Sequence, residues 1–535
     1  MRFAGTSSLT IGSLGVLVVG VGLGACSLDE TMSRSDVAGA AASGNTTTTW
    51  STTSTTTTGT WTGAGGAGAS ASFGGAGGAL GVGGQGGVGG QGGLGGQGGE
   101  DACAGLDSSQ PLVLYLSADD SNSMASPTHA REVLDLHMAP SDFLRIRTYE
   151  FLNYYRIAFP AAPQNQVALY TEGELGADPG KLDLQLAVRS YDALHPRRPM
   201  TITFVLDTSG SMGGNSIERE RAVVKAVAKS LAAGDIVSMV TWSDQQSTVL
   251  AGHVATGPND ATVVAAANGL AANGSTDLHA GLVRGYELAN QYYGLTRLNR
   301  LILVSDGGAN TGITDETLIA NNSKDGDKEG IYLVGVGTGP ATGYNDLLMD
   351  TVTDRGRGAY VYVDDVAEAE RLFVDRFDET MEIAARAVEV ELTVPWYLSL
   401  EKFSGEQAST NPEEVEPQHL APSDAMVFHQ TLAACNPALL DPADTVTVKV
   451  SWLQPLTYQA SSTSITWTID ELLAGPKEAL HKGKAIVAYA EALKTGLAAD
   501  LVAAHEAATA ADPNGTDPEL VEITALIEKH PAYPQ

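Results

Sequence analysis

TITFVLDTSGSMGGNSIERERAVVKAVAKSLAA, residues 201–233, places an apolar run, a polar turn and a helical pattern in direct succession. The run 201–206 is rich in β-branched, aromatic and other bulky residues, which is typical of a buried strand. Apolar residues then recur every three or four positions, as one face of a helix requires, at Val223, Val224, Val227 and Leu231. The stretch therefore predicts a strand, a loop and a helix, which is the repeating unit of a parallel sheet.

The same alternation continues as far as residue 378. Apolar β-rich runs lie at 235–242, 300–306, 331–337 and 359–365, and helical patterns lie at 261–270, 278–293, 315–327, 344–352 and 366–377. Strands that alternate with helices indicate a mainly parallel sheet that is covered by helices on both faces. In such sheets ligands bind outside the carboxyl ends of the strands.

The first polar loop at that edge is DTSGSMGG, residues 207–214. Asp207, Ser209 and Ser211 are alternate residues, and alternate side chains of an extended segment point in the same direction. We therefore expect their oxygens to converge on one point. The alternative is a polar turn whose side chains only cap the helix that follows.

Two further loops supply oxygens at corresponding positions. NGSTDLH (273–279) places the hydroxyl of Thr276 just before a helix, and LVSDGGAN (303–310) places the carboxylate of Asp306 where a strand ends. These loops favour a shared binding site over a simple helix cap, because a cap would not need them.

DDSNSM (119–124) repeats the D-x-S-x-S spacing with Asp119, Ser121 and Ser123. It has no glycine turn, and no threonine loop or strand-end aspartate of its own follows it. We therefore interpret it as a capped loop, with a second metal site as the alternative.

The chemistry of the five oxygens predicts a hard divalent cation. Oxygen ligands without nitrogen or sulfur favour Mg²⁺, with Mn²⁺ or Ca²⁺ as alternatives, over zinc. Two carboxylates balance the charge of a dication, and the hydroxyls neutralise nothing further. If the carboxylates reach the ion through water, as Mg²⁺ tolerates, the ion remains electrophilic at an open position, where the carboxylate of another molecule can bind.

DTSGSM, GST and the strand-terminal SDG resemble the metal-ion-dependent adhesion site of von Willebrand factor type A domains. The resemblance covers about 200–378 and implies a Rossmann-like α/β domain with a mainly parallel central sheet flanked by helices. It also implies a set of metal ligands: Ser209, Ser211 and Thr276 directly, with Asp207 and Asp306 acting through water.

The flanking segments resemble a narrower group, the bacterial YfbK-like type A proteins. TYEFLNYYR (148–156) is similar to an aromatic stretch of their N-terminal segment, and the β-rich and helical region at 386–530 is similar to their C-terminal extension. This resemblance implies an N-terminal α+β segment in addition to the type A domain.

Composition excludes several classes of function. The 535 residues include 31 Lys and Arg against 63 Asp and Glu, a formal charge of −32, so binding to nucleic acid through a basic face is not expected. The three cysteines form no CxxC pair and no Cys/His cluster, which makes a zinc site improbable.

The N-terminal region predicts export and a lipid anchor. An apolar run from about residue 9 to 23 precedes LGAC, which resembles a bacterial lipoprotein signal with acylation at Cys26. A signal peptide cut elsewhere and a membrane anchor remain alternatives. Residues 27–105 are Thr/Ser- and Gly-rich, and we expect a tether with a reach of about 50 Å.

The remaining cysteines, Cys103 and Cys435, either form a disulfide in an oxidising compartment or remain unpaired thiols. The domain division expected from the sequence is as follows: a signal peptide at 1–26, a tether at 27–105, an N-terminal YfbK-like segment at 106–198, a type A domain at 199–380, a β-rich domain at 381–470 and a helical region at 471–535.

The functional prediction is a non-enzymatic, lipid-anchored binding protein of the bacterial cell envelope. It would hold Mg²⁺ and bind an Asp or Glu side chain of a partner protein, with no nucleic acid involved. One alternative is a metal-dependent hydrolase, although the sequence contains no GxSxG, P-loop, HExxH or DxDxT motif. The other is a purely structural envelope protein.

Overall fold

The computed structural model describes residues 102–119, 122–308, 316–324 and 329–534. The predicted signal peptide, the acylated Cys26 and the tether up to residue 101 lie outside the described residues. Residues 102–105, which the sequence assigned to the tether, belong instead to the folded region. There the amide of Leu106 donates to the carbonyl of Cys103, and Cys103 forms a disulfide with Cys435.

The N-terminal segment contains three strands and two helices. They are β1 Leu112–Ser117, α1 Ala125–Asp135, α2 Thr148–Tyr154, β2 Ala168–Leu175 and β3 Lys181–Arg189. The aromatic stretch at 148–156 forms α2, and its rings at Phe151, Tyr154 and Tyr155 are buried.

The central region alternates strands and helices as the sequence predicts. Its elements are β4 Met200–Asp207, α3 Asn215–Lys229, β5 Ile236–Trp242, β6 Gln246–Val254, α4 Ala261–Asn268, α5 Leu278–Gln291, β7 Leu298–Ser305, α6 Glu316–Ser323, β8 Tyr332–Gly337, α7 Asp346–Gly356, β9 Arg357–Tyr362, α8 Val366–Glu370 and α9 Phe377–Met381. A π-helical turn, Arg371–Asp375, joins α8 to α9.

The C-terminal region is first β-rich and then helical. Its elements are β10 Ala385–Val394, β11 Leu398–Phe403, β12 Gln407–Ser409, β13 Gln418–Leu420, β14 Ala425–Ala434, β15 Thr445–Leu453, β16 Ala460–Thr468, α10 Ile469–Ala474, α11 Glu478–Thr495, α12 Ala498–Ala511 and α13 Pro518–Lys529.

The central sheet has the order β6-β5-β4-β7-β8-β9. All neighbours are parallel except β6, which runs antiparallel to β5 at one edge. Val205 of β4 lies between Val240 of β5 and Leu303 of β7, and every residue of β4, β7 and β8 is buried. The mainly parallel α/β fold predicted from the sequence is therefore confirmed, and the carboxyl ends of β4 and β7 lie side by side.

Two antiparallel sheets combine strands from both ends of the chain. One has the order β12-β1-β10-β15-β16, with β13 paired to β10, and the other has the order β11-β14-β3-β2. Their inner faces share one apolar core, which includes Leu116, Leu184, Leu392 and Phe428.

The domain division predicted from the sequence therefore needs correction. Segments 106–198 and 381–470 are not separate units, because β1 pairs with β10 and β3 pairs with β14 along its whole length. Alternating apolar residues identify strands but do not specify their partners, so pairing across more than 200 residues of intervening chain could not be inferred from local patterns.

The N-terminal segment also covers the β9 edge of the central sheet. The amide of Met124 donates to the carbonyl of Tyr360, and the hydroxyl of Thr128 donates to the carbonyl of Tyr362. These bonds satisfy backbone groups that an open sheet edge would leave exposed. In turn α11 packs on α2, and α13 packs on α1, so the C-terminal helices complete the same face.

Candidate metal centre

Asp207 ends β4 with its carboxylate buried and held at both oxygens. The amide of Ser209 donates to Oδ1 at 2.9 Å, and the hydroxyl of Ser305, the last residue of β7, donates to Oδ2 at 2.8 Å. The neighbouring strand therefore fixes the orientation of this carboxylate.

The two serines of the loop after β4 bring their hydroxyls together. Ser209 Oγ and Ser211 Oγ are 3.0 Å apart, with Ser209 buried and Ser211 exposed to solvent. The pair thus reaches from the buried carboxylate of Asp207 towards the surface.

The loop that carries Thr276 is joined to this serine loop by backbone hydrogen bonds. The amide of Gly210 donates to the carbonyl of Gly274 at 3.0 Å, and the amide of Asn273 donates to the carbonyl of Thr208 at 2.7 Å. Thr276 is 8% exposed. The next residue, Asp277, caps α5 by accepting the amide of Ala280.

Asp306 follows β7 and is also buried. The chain turns away at Gly307, which has a φ of +74° and approaches the backbone of Asn345 so closely that a Cβ would lie 2.7 Å from its nitrogen. A Cβ on Gly308 would lie 2.8 Å from Asp306 Oδ1 and 3.3 Å from Ser211 Oγ. The carboxylate and the hydroxyl therefore border the same small space.

Two buried carboxylates, those of Asp207 and Asp306, lie at the ends of the neighbouring strands β4 and β7. Within the described part of the chain, neither Asp207 nor Asp306 pairs with a lysine or arginine. Burial raises the pKa of Asp207 to about 6, the negative charge of Asp306 adds to this rise, and the hydrogen bonds from Ser209 and Ser305 oppose it. A divalent cation between the two carboxylates would relieve this repulsion.

Residues 201–374 match the family model of the von Willebrand factor type A domain. This region is a von Willebrand factor type A domain. The family predicted from the three loop motifs is therefore confirmed for the central part of the chain.

Curated relatives share this region. The chain is 28% identical over 215 residues to the uncharacterized protein YfbK of Escherichia coli, covering 40% of this chain and 37% of YfbK. It is 27% identical over 182 residues to inter-alpha-trypsin inhibitor heavy chain H1 of Sus scrofa, covering 33% of this chain and 20% of that protein. The chain thus spans well under half of the length of either relative.

Among solved structures, a von Willebrand factor type A protein from Catenulispora acidiphila matches with a TM-score of 0.42 and 16% identity. The match covers 66% of this chain and 88% of that chain.

The donor set of the type A domain fits a hard divalent cation. The structure brings Asp207, Ser209, Ser211 and Asp306 together and joins the loop of Thr276 to the serine loop. All five side chains offer oxygen, which suits Mg²⁺, Mn²⁺ or Ca²⁺. Among the residues that the structure describes, no group of three or more His, Cys, Asp or Glu side chains could hold a metal ion.

Two residues at this centre were not identified from the sequence. One is Ser305, whose position directly before Asp306 was the available signal. The other is Glu220 in α3, which is buried and finds no hydrogen-bond partner for either carboxylate oxygen within the described ranges. It precedes Val223 and Val224 by three and four residues, so the helical periodicity already placed it on the buried face.

The second D-x-S-x-S segment forms a capped loop around Asp119. Its Oδ2 accepts the amide of Ser123 at 2.7 Å and the side-chain amide of Asn153 at 2.8 Å. Ser121 lies outside the described residues. These bonds are those expected of a structural loop.

No helix within the described ranges combines the length and the apolar character that a membrane crossing requires.

Proposed function

We propose that this protein is a non-enzymatic binding module whose type A domain holds Mg²⁺ and, through it, a carboxylate of a partner protein. The proposed ligands are the five oxygen donors, Asp207, Ser209, Ser211, Thr276 and Asp306. The observation that carries the proposal is the pair of buried carboxylates, which no lysine or arginine of the described residues pairs with, beside two hydroxyls at the end of β4.

Charge balance supports the binding of an acidic ligand. Two carboxylates neutralise a dication, and the serine and threonine hydroxyls add no charge. Such an ion keeps an affinity for a further anionic oxygen, whereas a site with several more carboxylates would not. The role of the chain is to hold the donors in place, with Ser305 orienting Asp207.

Electrostatics of the whole chain constrain the partner. A formal charge of −32 repels an acidic protein at long range, although salt limits this repulsion to about 10 Å. We therefore propose a partner whose acidic ligand residue is surrounded by basic residues, which would favour encounter with this surface.

We also propose attachment to a membrane of the bacterial cell envelope through an acylated Cys26. A Thr/Ser- and Gly-rich tether after Cys26 would let the folded region reach a partner at a distance from the membrane. This part of the proposal rests on the LGAC sequence and the composition of residues 27–101.

Titration calorimetry of the full chain with MgCl₂ tests the metal site. We expect uptake of one ion, which Asp207→Ala and Thr276→Ala abolish without loss of the circular dichroism signal. Asp244→Asn is the matched control, because Asp244 is an exposed acid next to Gly274 but is not one of the proposed donors. Absence of Mg²⁺ uptake by the wild-type chain would overturn the proposal.

Binding of a partner is tested separately. A partner isolated from envelope extracts with Mg²⁺ present should be released by EDTA and should not bind the Asp207→Ala variant. Binding that persists in EDTA would favour the purely structural alternative, and hydrolytic activity that the same variant abolishes would favour the hydrolase.

A further inference from the structure

Glu220 is an unusual residue for the interior of the type A domain. It lies in the second turn of α3, directly after the serine loop, and its side chain is completely buried. Among the residues that the structure describes, neither Oε1 nor Oε2 has a hydrogen-bond partner. Buried polar groups in folded proteins are nearly always paired, so an unpaired carboxyl calls for an ion or a water as its partner.

The charges around Glu220 indicate where that partner lies. The groups that act on it are Asp207 and Asp306, followed by the neighbouring Arg221. Arg221 pairs with Glu218 and donates to the carbonyl of Leu270, so its side chain is already engaged elsewhere. Glu220 is thus buried in the helix that directly follows the serine loop, within reach of the charges of Asp207 and Asp306.

In the absence of a cation this arrangement is unfavourable. Burial, and then the negative charges of Asp207 and Asp306, raise the pKa of Glu220 well above its ordinary value. A dication bound by those two aspartates would attract the Glu220 carboxylate, whereas the aspartates alone repel it. The ionised carboxyl of Glu220, which is unfavourable without a cation, would then stabilise the metal-bound site.

We propose that Glu220 acts on the bound ion from the α3 side, from behind the direct ligands, and balances ion retention against the binding of the partner's carboxylate. This inference rests on the proposed function of the site. The additional negative charge of Glu220 strengthens the binding of the cation. The same charge reduces the attraction that the cation exerts on an incoming carboxylate. The partner's carboxylate therefore binds less tightly and dissociates more readily.

The first test compares Mg²⁺ affinities of full-length variants by titration calorimetry. Glu220→Gln should weaken Mg²⁺ binding by about 10-fold, the lower range of effects for residues behind the direct ligands of a metal. Glu220→Asp, which keeps the charge, should recover most of the affinity. Glu218→Gln is the matched control, because Glu218 is an exposed acid two residues away on the same helix, and it should bind Mg²⁺ as the wild type does.

The second test measures the affinity of the metal-bound protein for a carboxylate. Fluoroacetate is titrated onto protein saturated with Mn²⁺, and binding is detected by paramagnetic broadening of the ¹⁹F resonance. The Glu220→Gln variant should bind fluoroacetate several-fold more tightly than the wild type. A merely structural role of Glu220 would not produce weaker metal binding together with tighter carboxylate binding.

The outcomes separate the two proposals. If the wild type takes up no Mg²⁺, the proposed function fails. If the wild type takes up Mg²⁺ and Glu220→Gln binds it equally well, only the role of Glu220 is overturned. Glu220→Leu provides a second neutral variant should Glu220→Gln not fold, and equal Mg²⁺ affinity in Glu220→Leu and the wild type would overturn the inference as well.

Discussion

At the scale of single residues, the proposed metal centre depends on how Asp207 is oriented. One of its oxygens accepts a bond from the serine loop and the other accepts the hydroxyl of Ser305. Ser305 also accepts the amide of Gly307 at 3.1 Å, so one hydroxyl links the carboxylate to the turn after β7. Ser305, which is not a proposed ligand, therefore connects the end of β4 to the turn after β7.

Replacing Ser305 should affect the metal more than the fold. We expect Ser305→Ala to weaken Mg²⁺ binding by about 10-fold, because the carboxylate of Asp207 loses its orienting donor. The free energy of unfolding should fall by about 1 kcal/mol. Titration calorimetry and urea denaturation measure the two effects.

Ser230→Ala is the control for this experiment. The Ser230 hydroxyl donates to the carbonyl of Phe373 at 2.8 Å in the same domain, so its loss should cost similar stability. Mg²⁺ affinity should not change in this variant. An equal loss of Mg²⁺ affinity in both variants would show that the effect of Ser305 is only structural.

At the scale of elements, the pairing of β3 with β14 places a titratable group in the core between a sheet and a helix. His429 on β14 is paired in register with Gln185 on β3, and its ring is buried. Burial lowers the pKa of His429 to about 4, and the positive charge of nearby Lys484 on α11 acts in the same direction, whereas the carboxylates of Asp183 and Glu174 oppose it.

The lowered pKa of His429 predicts that the folded protein loses stability in mild acid. Its ordinary pKa is 6.5 and its folded value is about 4, so between these pH values the unfolded chain binds a proton that the folded protein does not. The contribution is fully present above about pH 6.5 and is lost as the pH falls to about 4. The loss amounts to about 3 kcal/mol.

Urea denaturation between pH 7.5 and pH 4 measures this contribution. His429→Asn should lack the part of the pH dependence that belongs to His429, so the difference between the two unfolding free energies should change by about 3 kcal/mol over this range. Parallel pH profiles for wild type and variant would contradict the prediction.

At the scale of the whole molecule, segments from both ends of the chain enclose the type A domain. Arg131 on α1 illustrates the connection, because it bonds Asp364 and Glu368 of the type A domain at 2.7 Å each, and Glu522 on α13 at 3.0 Å. One guanidinium thus joins the N-terminal segment, the type A domain and the C-terminal helices.

Removing this arginine should destabilise the entire fold. We expect Arg131→Met to lower the free energy of unfolding by about 3 kcal/mol, since Asp364 and Glu368 would remain largely buried without their cation. Lys529→Met is the matched control, because the Lys529–Asp135 pair also links α13 to α1 but its side chains are 41% and 53% solvent-exposed. Loss of the Lys529–Asp135 pair should lower the free energy of unfolding by less than about 1 kcal/mol.

Urea denaturation of the two variants checks this comparison. A single cooperative transition at lower urea for Arg131→Met would fit the loss of a link that all parts share. Equal stabilities of the two variants would contradict the assigned role of Arg131.

The sequence by itself determined the type A domain, and it indicated the five residues that we propose as metal donors. Strand and helix periodicity is a local property, and each of the three loops follows a strand or precedes a helix at an edge that parallel topology makes common. Asp207, Ser209, Ser211, Thr276 and Asp306 could therefore be assigned to one site before any coordinates were considered.

Tertiary structure alone decided how the rest of the chain is assembled. The pairing of β1 with β10 and of β3 with β14, and the contribution of Arg131 to three regions, join residues that are distant in sequence. Glu220 was visible as a residue on a buried helical face, but its unpaired carboxyl and its acidic neighbours were not. Local patterns state which face of an element is apolar, whereas the identity of the facing element depends on the packing of the whole chain.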